Sequence, residues 1–440
     1  MFAVPEFRAL WAAQLTSVIG DQLARVALTV LVYDRTSSAL LAAVTFMLSV
    51  VPIFVGGVTL AWLADRFPRR QVMIACDVFR GALVVVMTLP GMPLALLVAL
   101  LAVVTLASAP FTAARAAIYP DLLAGDRYVA GTAITLTTNQ FAQVVGFAVS
   151  GAVVALLGTR TSLGVDAATY GVSAVIVSLW VRRRPAAAPR RPGAAPRHAR
   201  PGPAPAPAAE SDPKSGAGSG AKASHAKSRS EAEGSLTGAL RMVFSTPALL
   251  LPMLFGWLAG FYNAPEGVAA PLARSLGGGA AAVGAILAAQ ALGETIGMLL
   301  YARLARPETR LRLMGPLAVA TCGALILFFL RPDFAAALII LAASGGFGAY
   351  QIAANAAFVR AVPAHWRARA FGLAQGGMSL GQGTVMVLAG AAAERFAPTT
   401  VVAIAGVVGA VCAAGVAASW FRSRKADAPG GLSLFSGFRR

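Results

Sequence analysis

The chain has 440 residues, of which 57% are hydrophobic and 12% charged, and a net charge of +19. A soluble chain of this length would fold as two or three domains, but it could not hide so much apolar surface from water. The apolar residues are gathered into twelve long stretches and most of the charge lies between them, which excludes an ordinary soluble enzyme.

A helix of about 20 apolar residues crosses roughly 30 Å of hydrocarbon. In chain order the predicted spans 1 to 6 are 9–32, 38–63, 72–90, 94–114, 129–157 and 162–181. Spans 7 to 12 are 247–272, 280–302, 312–330, 334–358, 368–392 and 399–421. Several exceed 20 residues, so tilt or ends beyond the lipid are expected. The first span lacks a basic leader and a clear cleavage site, and reads as retained.

The 33 Arg and 4 Lys sit almost wholly in alternate connections. One side carries Arg8, Arg66, Arg69, Arg70, Arg115, Arg127, the segment 182–235, Arg303, Arg306, Arg310, Arg312, Arg360, Arg367, Arg369, Arg422, Arg424 and Lys425. Each connection on the other side has at most one basic residue: Arg35, Arg160, Arg274, Arg331 and Arg395. Basic loops stay on the cytoplasmic side, so both termini are expected there. Topology thus accounts for the basicity, and no nucleic-acid partner is expected. Cys76, Cys322 and Cys412 lie in separate spans with no disulfide or metal-site spacing.

Residues 182–235 break the apolar pattern with Pro, Ala, Gly and Ser, 11 basic residues and 4 acids. Such a segment buries too little surface to offset its ordering entropy, and a disordered cytoplasmic linker is expected. Leu236–Phe244 reads as a short amphipathic interfacial helix. The chain therefore divides into a six-helix half (1–181), the linker, a second six-helix half (236–425) and a tail (426–440). That is the plan of transporters built from two similar halves: an all-α membrane protein with pseudo-symmetric halves around a central cavity.

Charged groups inside a bilayer are costly and normally face a cavity or a partner. Asp21 lies about 12 residues into span 1, near mid-membrane at about 1.5 Å per residue, with Arg25 one turn on along the same face. The pair reads either as a structural lock or as a proton site in which Asp21 takes or releases a proton as Arg25 leaves or approaches. Glu266 in span 7 and Glu294 in span 8 are the second-half counterparts, able to carry a proton or neutralise a cationic solute. Asp77 and Arg80 are expected near the basic-side end of span 3, and Asp166 near the far end of span 6 as a gate or helix-start residue. Asn139, Gln143, Asn263, Gln290, Tyr350, Gln351, Asn355 and Gln375 are candidates to line the substrate path. Histidines fall only at positions 198, 225 and 365, all between spans, so proton coupling would run on carboxylates.

The connection after span 2, Asp65-Arg66-Phe67-Pro68-Arg69-Arg70, resembles the loop signature between the second and third helices of the major facilitator superfamily, with Ala61 and Pro68 where two glycines are usual. Phe7–Gln14, Ser17–Asp21, Val165–Tyr170 and Arg367–Gly372 are similar to the branch of macrolide and enterobactin-type exporters. The resemblance implies a drug–proton antiporter with Asp65 as a latch on the cytoplasmic side and Arg66, Arg69 and Arg70 as its gate- or lipid-facing partners. In span 5, Gly146 and Gly151 keep part of an exporter glycine motif whose proline position holds Phe147.

The expected function is proton-coupled export of amphipathic small molecules by a monomer in the bacterial plasma membrane. Small-molecule substrate, protons and membrane lipids are its partners, and no cofactor or metal is expected. An importer on the same fold, or a membrane sensor using the basic linker, are the rival readings. No phosphate-binding loop or hydrolytic constellation marks an enzyme.

Overall fold

The computed structural model describes residues 4–123, 126–184, 236–363 and 366–426. Expectations for the linker beyond Arg184, for His198, His225 and His365 and for the tail from 427 lie outside the described residues. Within them the regular structure is helical throughout, without strands.

Nine helices among the described residues are long and apolar enough to cross a bilayer. One of them, Ala130–Trp180, holds both span 5 and span 6. Gly158 turns it back on itself with φ 78° and ψ 169°, a conformation essentially confined to glycine. Span 3 (Arg69–Met87) and span 11 (Arg367–Ala393) complete the twelve. Both are more polar, carrying Asp77 and Arg80 in one and Gln375 and Gln382 in the other.

Three spans are broken, for different reasons. Span 2 runs as Ala39–Leu48, Val51–Thr59 and Trp62–Arg66; the first break falls where Pro52 supplies no backbone N–H and clashes with the preceding turn. Span 7 falls into Pro247–Trp257, Ala259–Tyr262, Ala264–Gly267 and Ala269–Ser275, with Pro252, Pro265 and Pro271 along it. Span 10 is interrupted between Phe334–Phe347 and Tyr350–Ala361 at its glycine run. There Gly345 lies so close to span 8 that an added Cβ would sit 2.3 Å from the Gln290 carbonyl oxygen.

The two halves repeat one packing scheme. In the first, the Trp11 indole of span 1 donates to Thr138 of span 5 at 3.1 Å; in the second, the Trp257 indole of span 7 donates to the Ala374 carbonyl of span 11 at 3.0 Å. The interface follows the same exchange, with span 2 packed on span 11 and span 8 on span 5. Glycines let these pairs approach. Gly390 faces Ala43 and the Ala39 carbonyl, Gly383 faces Met47 and Val51, and Gly151 meets Gly284 backbone to backbone.

Among the described residues, the side-chain hydrogen bonds and ion pairs between the halves gather at one end of the interface. At the arginine-poor face Glu394 accepts hydrogen bonds from the Ser38 hydroxyl (2.7 Å) and the Leu40 amide (2.8 Å), and Arg274 pairs with Asp34 at 2.5 Å. Contacts between spans 2 and 11 continue inward to Phe54 and Gly376. Beyond them Trp62–Arg66 packs on spans 3 and 4 of its own half, and Trp62 and Phe67 are exposed. The helix Leu236–Ser245 matches the amphipathic expectation. It packs on spans 7 and 11, with Val243 buried and Phe244 edge-on to Trp257 at 6.4 Å.

Candidate functional site

Spans 1, 3 and 6 meet at one depth and bury a polar cluster. Arg80 of span 3 donates to Asp21 of span 1 at 2.6 Å and to the Tyr170 hydroxyl of span 6 at 2.8 Å. Tyr170 in turn donates to the same Asp21 oxygen at 2.5 Å, and the guanidinium lies 4.2 Å from the centre of its ring. Charge-assisted hydrogen bonds of this kind are short and about twice as strong as neutral ones. Arg80 is 2% exposed, whereas the Asp21 side chain is 33% exposed. Asp21 is thus the open edge of an otherwise sealed network. Behind it Ser173 donates to Asp77 at 2.6 Å, and Asp77 lies 3.9 Å from Arg80.

Three expectations are corrected here. Asp77 and Arg80 do not lie at the membrane interface; both are buried inside the first half. Arg80 is 11 residues beyond Arg69, a helical rise of roughly 16 Å, which already places it near mid-membrane. Arg25 is likewise not the partner of Asp21. It donates to the Ser49 carbonyl at 3.1 Å and lies 5.6 and 6.0 Å from the rings of Phe46 and Phe147. Its charge is felt by Asp21 in its own half and by Glu266 in the other. Glu266, half-buried in the broken middle of span 7, couples in turn to Glu294 of span 8. Arg25 and Glu266 thus bring charge from both halves to the interface. Asp166, expected at a mouth, is fully buried between spans 6 and 1.

Two spaces are relevant, one in each half. A cavity of about 190 Å³ is lined by Asp21, Arg25, Arg80, Gln14, Asn139 and Gln143. A larger one of about 640 Å³ lies in the second half, where Met253, Trp257, Met298, Phe358, Phe371 and Met378 make the walls. Its polar groups are Gln351, Asn355 and Gln375. An apolar wall with a few fixed polar groups suits an amphipathic ligand, and methionine lets such a wall adapt. Five of the eight proposed path residues therefore face these spaces. The other three are committed to packing. Gln290 donates to Asn263 at 2.6 Å and to the Tyr262 carbonyl at 3.2 Å, and Tyr350 donates to the Phe255 carbonyl at 3.1 Å.

The basic loop after span 2 is divided in its contacts. Arg69 pairs with Asp121 at 2.6 Å and donates to the Ala117 carbonyl at 2.7 Å, pinning span 3 to the end of span 4. Arg70 donates to the Ser178 carbonyl of span 6. Asp65 and Arg66 are exposed. Nearby, Arg182 and Arg184 at the start of the linker pair with Glu6 at 3.4 and 2.8 Å.

Tyr170 and Ser173 were not among the sequence candidates, and a depth count finds them. Tyr170 lies 12 residues past Gly158, roughly 18 Å along span 6, level with Asp21 and Arg80.

A two-half bundle of twelve spans with a buried ionic cluster beside a polar cavity is the architecture of a secondary transporter. The chain belongs to the Major Facilitator Superfamily, whose model matches residues 10–265 and 266–437. Over 180 residues it is 27% identical to macrolide efflux protein A of Streptococcus pyogenes, covering 40% of this chain and 44% of that protein. Less than half of that relative's length is therefore matched. Its fold is similar to a bacterial homologue of the human lysosomal transporter Spinster in an inward-facing, occupied conformation (TM-score 0.65, 16% identity, 95% of this chain and 96% of that one). It is also similar to a POT family transporter bound to 5-aminolevulinic acid (TM-score 0.68, 10% identity, 94% and 96%) and to a nucleoside transporter (TM-score 0.66, 14% identity, 94% and 99%).

Proposed function

We propose that this chain exports amphipathic small molecules in exchange for protons, by alternating access between its halves (1–181 and 236–425). The observation that carries this reading is the Asp21–Arg80–Tyr170 network, whose one accessible carboxylate opens onto a polar cavity. Protonation of Asp21 removes the charge that holds Arg80 and Tyr170 together. It thereby changes how spans 1, 3 and 6 pack. Arg25 and Glu266, interacting across the interface, transmit that change to the second half, with Glu294 as a further proton acceptor.

The positive-inside pattern makes the arginine-rich face cytoplasmic, which supports both termini inside and an inward-facing state. Asp65 and Arg66 then stand free at the open side and close it in the opposite state. Glu394 and Arg274 hold the outer side shut. Substrate enters the methionine-walled cavity from the cytoplasm or the inner leaflet, and Gln351, Asn355 and Gln375 orient its polar groups. The similarity to a macrolide efflux protein supports macrolide-like compounds as the first class to test. We read the protein as a monomer in a bacterial plasma membrane.

The test is accumulation of a labelled macrolide and a fluorescent lipophilic cation in efflux-deficient cells, comparing wild type, Asp21→Asn and empty vector, with and without a protonophore. Export predicts lower accumulation in wild type alone, abolished by the protonophore. Higher accumulation in wild type would assign import instead.

A further inference from the structure

Spans 3 and 6 bury two carboxylates that the proposed cycle does not use. Asp77 and Asp166 are both 0% exposed. Asp77 shares Arg80 with Asp21 and accepts from Ser173, an arrangement that suits an ionised group. Asp166 differs: the hydroxyl beside it, Thr169, donates to the Asp166 backbone carbonyl at 2.7 Å and leaves neither carboxyl oxygen with a hydrogen bond of ordinary geometry. Its Oδ1 lies against span 1, 2.4 Å from where a Cβ on Gly20 would be. An ionised carboxylate held this way, away from water and without a compensating charge of its own, is strongly disfavoured against the protonated acid.

The surrounding charge sharpens the point. Asp21 from span 1, Asp77 from span 3 and Asp166 from span 6 all interact with Arg80, as does Tyr170. Arg25 of span 1 is near Asp21, but its guanidinium donates to the Ser49 carbonyl at 3.1 Å. Three ionised acids on one guanidinium would leave two negative charges uncompensated. A proton is the smallest cation able to relieve that excess, and at the Gly20 contact Asp166 Oδ1 is accompanied by the Thr169 hydroxyl, too few oxygens for a hard metal ion, which takes about six or more.

We propose that Asp166 is a second proton-binding group, loaded while Asp21 holds Arg80 and unloaded when protonation of Asp21 sets Arg80 free. One proton is taken up on Asp21 from the cavity. Arg80 then turns its charge to Asp166, which releases its own carboxyl proton to water admitted as spans 1 and 6 part. The net charge of the cluster stays constant through the exchange. The inference rests on the proposed function only in giving Asp21 the first proton.

The experiment is infrared difference spectroscopy of the purified full-length protein in lipid nanodiscs at neutral pH, with isotope-labelled aspartate. It reads the carbonyl band of protonated aspartic acid and needs neither substrate nor gradient, so it stands apart from the transport assay. Wild type is expected to show such a component, which disappears in Asp166→Asn and also in Asp21→Asn, where Arg80 is no longer held. Asp166→Glu, which keeps the acid, should move the component out of the labelled-aspartate set without unfolding the protein, and so serves if the asparagine variant does not fold. A component unchanged in Asp166→Asn and Asp166→Glu would overturn the proposal. So would its retention in Asp21→Asn, or its loss when choline is replaced by sodium at fixed pH, which would assign a metal cation.

Discussion

Adding a single methyl group at Gly284 tests whether the contact of span 8 with span 5 holds the outer side closed. A Cβ there would lie 2.6 Å from both the Gly151 Cα and the Phe147 carbonyl oxygen, and 2.8 Å from the Gly151 nitrogen. Those are backbone atoms, which cannot rotate aside. Carbon atoms rest about 3.5–4.0 Å apart, so the two spans must separate by roughly 1 Å. Overpacking of this kind costs about 1–3 kcal/mol, a shift of roughly 5- to 150-fold between two conformations. Only the closed-outside state bears that cost. The assay is pulsed electron resonance between spin labels at positions 35 and 395 on the outer face and 67 and 367 on the inner, in a background free of Cys76, Cys322 and Cys412. Gly284→Ala should populate longer outer and shorter inner distances. Gly372→Ala, where nothing lies within 4 Å of the added atom, should leave both unchanged. If Gly284→Ala folds and keeps the wild-type outer distances, the glycine contact does not govern closure.

Arg80→Met leaves Asp21 and Asp77 without their cation. Breaking a buried pair from one side costs about 3–5 kcal/mol, which should appear as a large drop in the thermal unfolding midpoint in detergent. The loss should be partly rescued by adding Asp21→Asn. Glu394, at the outer face, has its carboxyl held below the usual carboxylate range by the hydrogen bonds from Leu40 and Ser38. It stabilises the closed outer side above the ordinary glutamate value of about 4.3, and that contribution is lost as pH falls through its depressed value. Outer distances should therefore lengthen on acidification, and Glu394→Gln should flatten the response. Gln375→Ala removes one polar group from the larger cavity. At about 0.5–1.5 kcal/mol for a hydrogen bond, it should weaken binding of a transported drug by roughly 2- to 12-fold, measured by tryptophan quenching, with the maximal rate little changed.

The fold was legible because apolar length and basic-loop alternation are properties of the chain alone. Breaks within spans 2 and 7 fall at Pro52 and Pro265, but Pro110 and Pro316 sit inside unbroken helices, so proline alone does not locate a break. Asp21 was legible as a buried charge, but its partner was not. The choice between Arg25 and Arg80 depends on which helices are neighbours, and a one-turn spacing within span 1 says nothing about span 3. Depth along each helix carries part of the missing information. Asp21, Arg80 and Tyr170 fall at one level when counted from their own ends. Gln290 and Tyr350 show the converse limit. An amide and a hydroxyl in membrane helices satisfy neighbouring backbone as readily as a substrate, and only packing distinguishes the two.

The most direct test of proton-coupled export is transport in liposomes that contain the purified protein and an imposed pH gradient. Wild type should drive a labelled macrolide or lipophilic cation against its own gradient when the opposite compartment is acidic, and Asp21→Asn should only equilibrate it. Uphill movement that ignores the pH gradient, or that survives in Asp21→Asn, would contradict the account.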